Sequence, residues 1–127
     1  MKKVILDTNF IITCVKQKID FFEQLELMEF KIIIPEEVAS ELKSLKEFLA
    51  LKILEKEKFE KVKLNSKKVD NGIIKYAKEN DGVLIATLDR AMKFKIKNKI
   101  VVIRGKKKLE VVWVYYKLIR KPLKTIF

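Results

Sequence analysis

Four short apolar runs constrain this chain more than any other feature. They are Val4-Ile5-Leu6, Ile32-Ile33-Ile34, Val83-Leu84-Ile85-Ala86 and Ile100-Val101-Val102-Ile103. None alternates with polar residues, so a strand built from any of them is apolar on both faces. Strands of that kind belong in a parallel sheet with helices on each side. The segments between them carry helical spacing. Ile19, Phe22, Leu25 and Met28 predict a helix over 19–29. Pro35 ends the second run where a helix can begin, and Glu36 and Glu37 suit its first turn. Val38, Leu42, Leu45 and Leu49 carry that helix on to about Lys58, with a break. Val62-Lys63-Leu64 is a weak strand. Val69, Ile73 and Ala77 predict a helix over 67–79, capped by Asn65 or Ser66. A last helix is expected from Asp89 to about Lys97. The 127 residues suit one domain.

Composition removes whole classes of chemistry. The chain has no His, which excludes a Ser-His-Asp triad, a His general base and a His metal ligand. Its one Cys, Cys14, excludes an intramolecular disulfide and a thiolate zinc cage. Three scattered glycines cannot build a phosphate-cradling loop. What remains is carboxylates, hydroxyls, amides and amines, which favour oxygen ligands and a hard metal ion. The longest apolar run, Val111 to Tyr116, is far too short to span a bilayer, and Asp7 and Asn9 interrupt any leader-like start. The expectation is a soluble, cytoplasmic protein.

The formal net charge is +12, from 29 basic and 17 acidic side chains. It is concentrated at the end: residues 104–127 carry eight basic groups and one acid, against 21 and 16 in residues 1–103. A basic extension on a less charged body points to a polyanionic partner, most simply nucleic acid. The plainer alternative is a general abundance of lysine.

In a parallel α/β sheet, ligands bind at the carboxyl ends of the strands. Asp7 ends the first predicted strand, and Asp89 follows the fourth by three residues. The two can therefore meet. Glu41 lies about two turns into the helix after the second strand. Asp70 begins the helix before the fourth strand, and the pattern alone leaves open which edge of the sheet it faces. Several carboxylates in one cleft raise one another's pKa unless a cation neutralises them. Each also has a simpler reading: Asp7 and Asp89 as helix caps, Asp70 as a first-turn acid, Glu41 as a solvated charge.

The local contexts of these acids resemble the PIN domain family of metal-dependent nucleases. The motifs are Val4-Ile5-Leu6-Asp7-Thr8-Asn9, Ile34-Pro35-Glu36-Glu37-Val38-Ala39-Ser40-Glu41-Leu42, Val69-Asp70-Asn71-Gly72-Ile73-Ile74-Lys75-Tyr76-Ala77 and Val83-Leu84-Ile85-Ala86-Thr87-Leu88-Asp89-Arg90. The archaeal–eukaryotic branch linked to ribosomal RNA processing is most similar, with VapC-type toxins as rivals. The resemblance implies a three-layer α/β/α fold with a central parallel sheet. It implies that Asp7, Glu41, Asp70 and Asp89 are the catalytic acids and hold one or two Mg²⁺ or Mn²⁺ ions. Asn9 and Thr87 would support them by hydrogen bonds. Asn71 stands where many relatives carry a second acid, which lowers the charge of the site. The implied activity is an endoribonuclease leaving a 5′ phosphate and a 3′ hydroxyl. The expected partner is single-stranded or structured precursor RNA, with an acidic antitoxin only under the toxin reading. A catalytically weak RNA-binding or assembly module is the remaining alternative.

Arg90, Lys93, Lys95, Lys97, Arg104, Lys106, Lys107 and Lys108 are the expected contacts to the RNA backbone. Arg90 has pairing with Glu79 or Asp81 as its other reading. Residues 1–103 are expected to form the nuclease domain, with 104–127 as a basic, aromatic extension of it. Val111 to Tyr116 suits an added edge strand. Trp113, Tyr115 and Tyr116 suit burial against the body, base stacking, or pairing in a homodimer.

Overall fold

A computed structural model describes residues 1–113. The strands are β1 (Lys2–Leu6), β2 (Phe30–Pro35), β3 (Glu60–Val62), β4 (Leu84–Ala86), β5 (Ile100–Arg104) and β6 (Lys108–Val112). The helices are α1 (Thr8–Lys16), α2 (Phe21–Leu27), α3 (Glu36–Ser44), α4 (Phe48–Lys56), α5 (Val69–Glu79) and α6 (Arg90–Lys95). The strands form one sheet in the order β3-β2-β1-β4-β5-β6. The first five are parallel, and β6 runs antiparallel to β5.

The expected apolar runs form the centre of this sheet. Val4, Ile5, Leu6, Ile33, Ile34, Ile85, Ala86 and Val101 are essentially inaccessible to water. Each is flanked above and below, as a doubly covered sheet requires. α1, α3 and α4 pack together, and α5 packs with α6. Right-handed crossovers put these two groups on opposite faces of the sheet. Phe10, Phe21, Phe22, Leu25, Val38, Leu42 and Ile73 fill the space between the layers.

Several boundaries differ from the sequence reading. The weak strand expected at 62–64 forms two residues earlier, and the helix expected over 19–29 is confined to Phe21–Leu27. The break expected in the long helix after Pro35 does form, at residues 45–47, where Lys46 adopts a left-handed conformation with φ 58°. Neither Asn65 nor Ser66 caps α5. Lys68 occupies that position without a side-chain cap, Asn65 sits at φ 54°, and the Ser66 hydroxyl donates to the Lys68 carbonyl. The edge strand starts at Lys108, earlier than expected. It is joined to β5 by a tight turn in which Gly105 and Lys106 both have positive φ, and the Lys107 N–H donates to the Arg104 carbonyl. Two left-handed central residues match the twist of a hairpin. Val114 to Tyr116, and with them the roles considered for Tyr115 and Tyr116, lie outside the described residues. Among the described residues no helix is long and apolar enough to cross a membrane.

Candidate functional site

The strand order sets where a ligand site can form. The chain moves outward from β1 to β2 to β3, then returns across β1 to β4 and continues to β5. The reversal falls between β1 and β4. A crevice opens at the carboxyl ends of the strands at such a switch point. Asp7 and Thr87, the residues that follow β1 and β4, stand there. The Asp7 N–H donates to the Ala86 carbonyl at 3.0 Å, which extends the β1–β4 ladder by one bond.

Asp7 is buried, and both its carboxylate oxygens are engaged. Oδ1 accepts the Thr8 N–H at 2.8 Å, and Oδ2 accepts the Thr87 hydroxyl at 3.1 Å. The cap reading of Asp7 is borne out, since the residue occupies the cap position of α1, and the cap leaves it at the β1/β4 crevice. Burial is the main cause holding its carboxyl above the ordinary range. The Thr87 hydroxyl and the Thr8 N–H pull it back down, and the negative charges of Asp70 and Glu41 push it up again.

Thr87 is fully buried and ties two of the acids together. Its hydroxyl oxygen accepts the Asp89 N–H at 3.1 Å while its proton goes to Asp7. Asp89 is half-buried and caps α6 through the Met92 N–H at 3.2 Å. Asp70 and Glu41 reach the same region from the other side of β1. Glu41 is exposed in the second turn of α3, which begins directly where β2 ends. Asp70 is exposed in the first turn of α5. Because β3 is parallel to β2, the helix that follows it starts at the carboxyl edge. That resolves which edge Asp70 faces. Asn9 and Asn71 are exposed in the first turns of α1 and α5.

Glu37 is the functional candidate that the sequence reading missed. The sequence pattern marks it as a first-turn acid of α3 and nothing more. Its carboxylate accepts the Leu64 N–H at 3.0 and 3.1 Å and the Asn65 N–H at 2.9 Å. Burial works against its ionisation, but these N–H groups outweigh that and hold its carboxyl below the ordinary range. The clamp fixes the segment leading into α5 against the helix that carries Glu41. Gly72 completes the fit. A Cβ there would stand 2.8 Å from the Leu64 Cβ and 3.0 Å from the Ser66 Cβ, so only glycine lets α5 start this close to the clamped loop.

The donor set is wholly oxygen and carries several negative charges, which suits a hard divalent ion. Among the described residues no three carboxylates converge into a ready-made cage. The Thr8 hydroxyl, beside Asp7, is a buried oxygen with no hydrogen-bond partner among the described residues. Cys14 offers no alternative chemistry, since burial pushes its thiol up to about 12.

The basic residues divide between the two edges of the sheet. Arg104 ends β5 at the carboxyl edge, and Lys106, Lys107 and Lys108 follow in the hairpin turn and the start of β6. At about 4.8 Å per strand, β5 lies roughly 10 Å from β1. Gln24 of α2 fixes this turn: its Nε2 donates to the Lys107 carbonyl at 3.0 Å, and its Oε1 accepts the Leu109 N–H at 2.8 Å. Lys93 is half-buried beside Arg90, Arg104 and Asp89. Burial first, then the two arginines, lower its pKa, while Asp89 raises it. Arg90 pairs with neither Glu79 nor Asp81 among the described residues. Lys97 is not at this edge. α6 runs back along the sheet, so Lys97 lies at the amino edge, and Lys95 is exposed at the last residue of the helix.

Known proteins share this fold. Residues 4–108 match the PIN like domain family. The chain is 32% identical to ribonuclease VapC4 of Methanocaldococcus jannaschii, over 87% of this chain and 97% of that protein. It is 36% identical to the rRNA-processing protein fcf1 of Schizosaccharomyces pombe, over 74% of this chain, and spans about half (53%) of that longer protein. The solved structure of the PIN domain endonuclease Utp24 superposes with a TM-score of 0.76 at 32% identity, covering 86% of this chain and 90% of that one. With a match across most of its length, the same fold and relatives at this identity, the chain belongs to the PIN like domain family.

Proposed function

We propose that this protein is a divalent-metal-dependent endoribonuclease acting in ribosomal RNA processing or RNA turnover. The observation that carries the reading is buried Asp7 at the β1/β4 crevice, held by Thr87 and bearing the charges of Asp70 and Glu41. Asp7, Glu41, Asp70 and Asp89 are the residues that hold Mg²⁺ or Mn²⁺. Bound there, the ion supplies water activation and charge neutralisation at a phosphodiester. Thr87 orients Asp7 and Asp89, Glu37 keeps α3 and α5 in register, and Asn9 and Asn71 supply flanking polar groups. Arg90, Lys93, Arg104 and Lys106 to Lys108 line the approach and draw the RNA backbone towards the acids. Contacts of this kind give affinity without reading sequence. The named activities of VapC4 and Utp24 support the same reaction class.

The test is cleavage of labelled single-stranded and stem-loop RNAs with Mn²⁺, Mg²⁺ or EDTA, beside the Asp7→Asn protein. The expected outcome is cutting that needs the metal and is lost in the variant. Equal products from both proteins would reveal a contaminating ribonuclease. Metal and RNA binding without turnover on any substrate would overturn the enzyme in favour of a binding module.

A further inference from the structure

We infer that the amino edge of the sheet carries a second contact for single-stranded RNA, with Trp113 as a stacking platform and Lys2, Lys97 and Lys99 as phosphate ligands. The inference rests on the ribonuclease reading for the identity of the polyanion, but it concerns the end of the sheet opposite the acids. A cleft of about 320 Å³ opens there, lined by the three lysines, Trp113, Asn98 and one acid, Asp81. Trp113 follows β6 and is 61% exposed, although it is the largest apolar side chain at this edge. The Lys99 ammonium stands 3.6 Å from the centre of its ring. That cation–π contact holds the ring at the mouth of the cleft. Lys99 also sits close enough to Lys2 for the like charge to disfavour its ionisation, after partial desolvation. Cations gathered in this way gain from an arriving phosphate.

The floor of the cleft is rigid. Buried Asn98 donates to the carbonyls of Ala77, Asn80 and Val83 at 3.2, 3.1 and 2.8 Å, locking the turn before β4 against the start of β5. Lysines around a fixed aromatic ring are the elements of sequence-tolerant single-strand binding. β5 spans five residues, so this cleft lies roughly 17 Å from the carboxyl edge. An RNA strand engaging both edges passes along α6, where Lys93 and Lys95 lie. The second contact therefore favours substrates with an unpaired stretch beside the cleaved bond.

Trp113 is the chain's only tryptophan, so its emission reports this cleft alone. The full-length protein in EDTA, where no cleavage proceeds, is titrated with a uridine-rich single-stranded 12-mer. Anisotropy of a labelled copy reads total binding, and Trp113 emission with the unlabelled copy reads the cleft. The expected result is saturable quenching with the same midpoint as the anisotropy, weakening with salt. Trp113→Ala should loosen binding roughly tenfold, the scale of one base stacked on an aromatic ring. The Lys2→Glu/Lys97→Glu pair, which leaves the Lys99–Trp113 contact in place, should abolish the quenching. Lys106→Glu/Lys107→Glu at the other edge should weaken binding but leave the quenching amplitude intact. RNA binding with unmoved emission, or quenching indifferent to Lys2 and Lys97, would overturn this inference and leave the ribonuclease standing. No RNA binding by either readout would also overturn this inference, while cleavage of RNA with Mn²⁺ or Mg²⁺ decides the ribonuclease separately.

Discussion

Asp7→Asn protein should lose metal-dependent cleavage by at least about 10²–10³-fold, the scale of removing one key electrostatic group, and yet melt at a higher temperature than the wild type when both are metal-free. The two effects share one cause. The carboxyl of Asp7 is held above its ordinary 3.8, first by burial and then by Asp70 and Glu41. A raised folded-state pKa means the fold prefers the protonated form, so the ionised group costs stability at neutral pH. That cost is present above the folded pKa and fades as pH falls through it towards 3.8. Asn removes the charge and keeps the local bonds: its carbonyl accepts the Thr8 N–H, and its amide donates to the Thr87 hydroxyl. The advantage of the variant in EDTA should therefore be greatest near pH 7 and shrink on acidification. Added Mn²⁺ should raise the melting temperature of the wild type and leave the variant behind. Melting curves across pH, with and without Mn²⁺, check both signs.

Thr87→Val should be destabilising and impair the site together. The swap keeps the shape of a fully buried side chain and removes only its hydroxyl. An Asp7 oxygen loses its donor and the Asp89 N–H loses its acceptor. Leaving buried polar groups without partners costs about 1–3 kcal/mol, which for a domain of this size lowers Tm by roughly 4 °C per kcal/mol. Losing the Thr87 hydroxyl also removes the strongest influence pulling the Asp7 carboxyl down, so its pKa should climb further. Partners of this kind typically contribute about 10–100-fold to metal affinity. The variant should need more Mn²⁺ for half-maximal cleavage, and the gap should narrow as pH rises and Asp7 ionises. Thr87→Ser, which restores the hydroxyl, should recover most of both effects.

The parallel sheet was legible because its strands are apolar on both faces, a pattern few other environments allow. Asp7 and Asp89 were legible because Asp7 directly follows such a strand and Asp89 follows one by three residues. Asp70 was not placed by residue pattern, because its position depends on β3. That strand has three residues, two of them charged, and its register becomes evident only through pairing with Ile33, Ile34 and Pro35. Glu37 gave no local signal, since its N–H partners lie 27 and 28 residues further along the chain. Lys97 was grouped with Lys93 and Lys95 by proximity in sequence, yet the reversal through α6 carries it to the opposite edge. Charge content showed that the surface was basic; only the strand directions show that it has two basic edges around one acidic crevice.

In the proposed mechanism, carboxylates from four separate segments act as one divalent-ion site. Calorimetric titration of Mn²⁺ into metal-free protein tests it without any RNA. Glu41→Gln and Asp70→Asn are the informative variants: both residues are exposed, so neither change disturbs the core. The wild type should bind saturably, with affinity at least about tenfold weaker in each variant, on the scale of outer-ligand losses at metal sites. Mn²⁺ affinity unchanged by both substitutions, or absent from the wild type, would contradict the proposed mechanism.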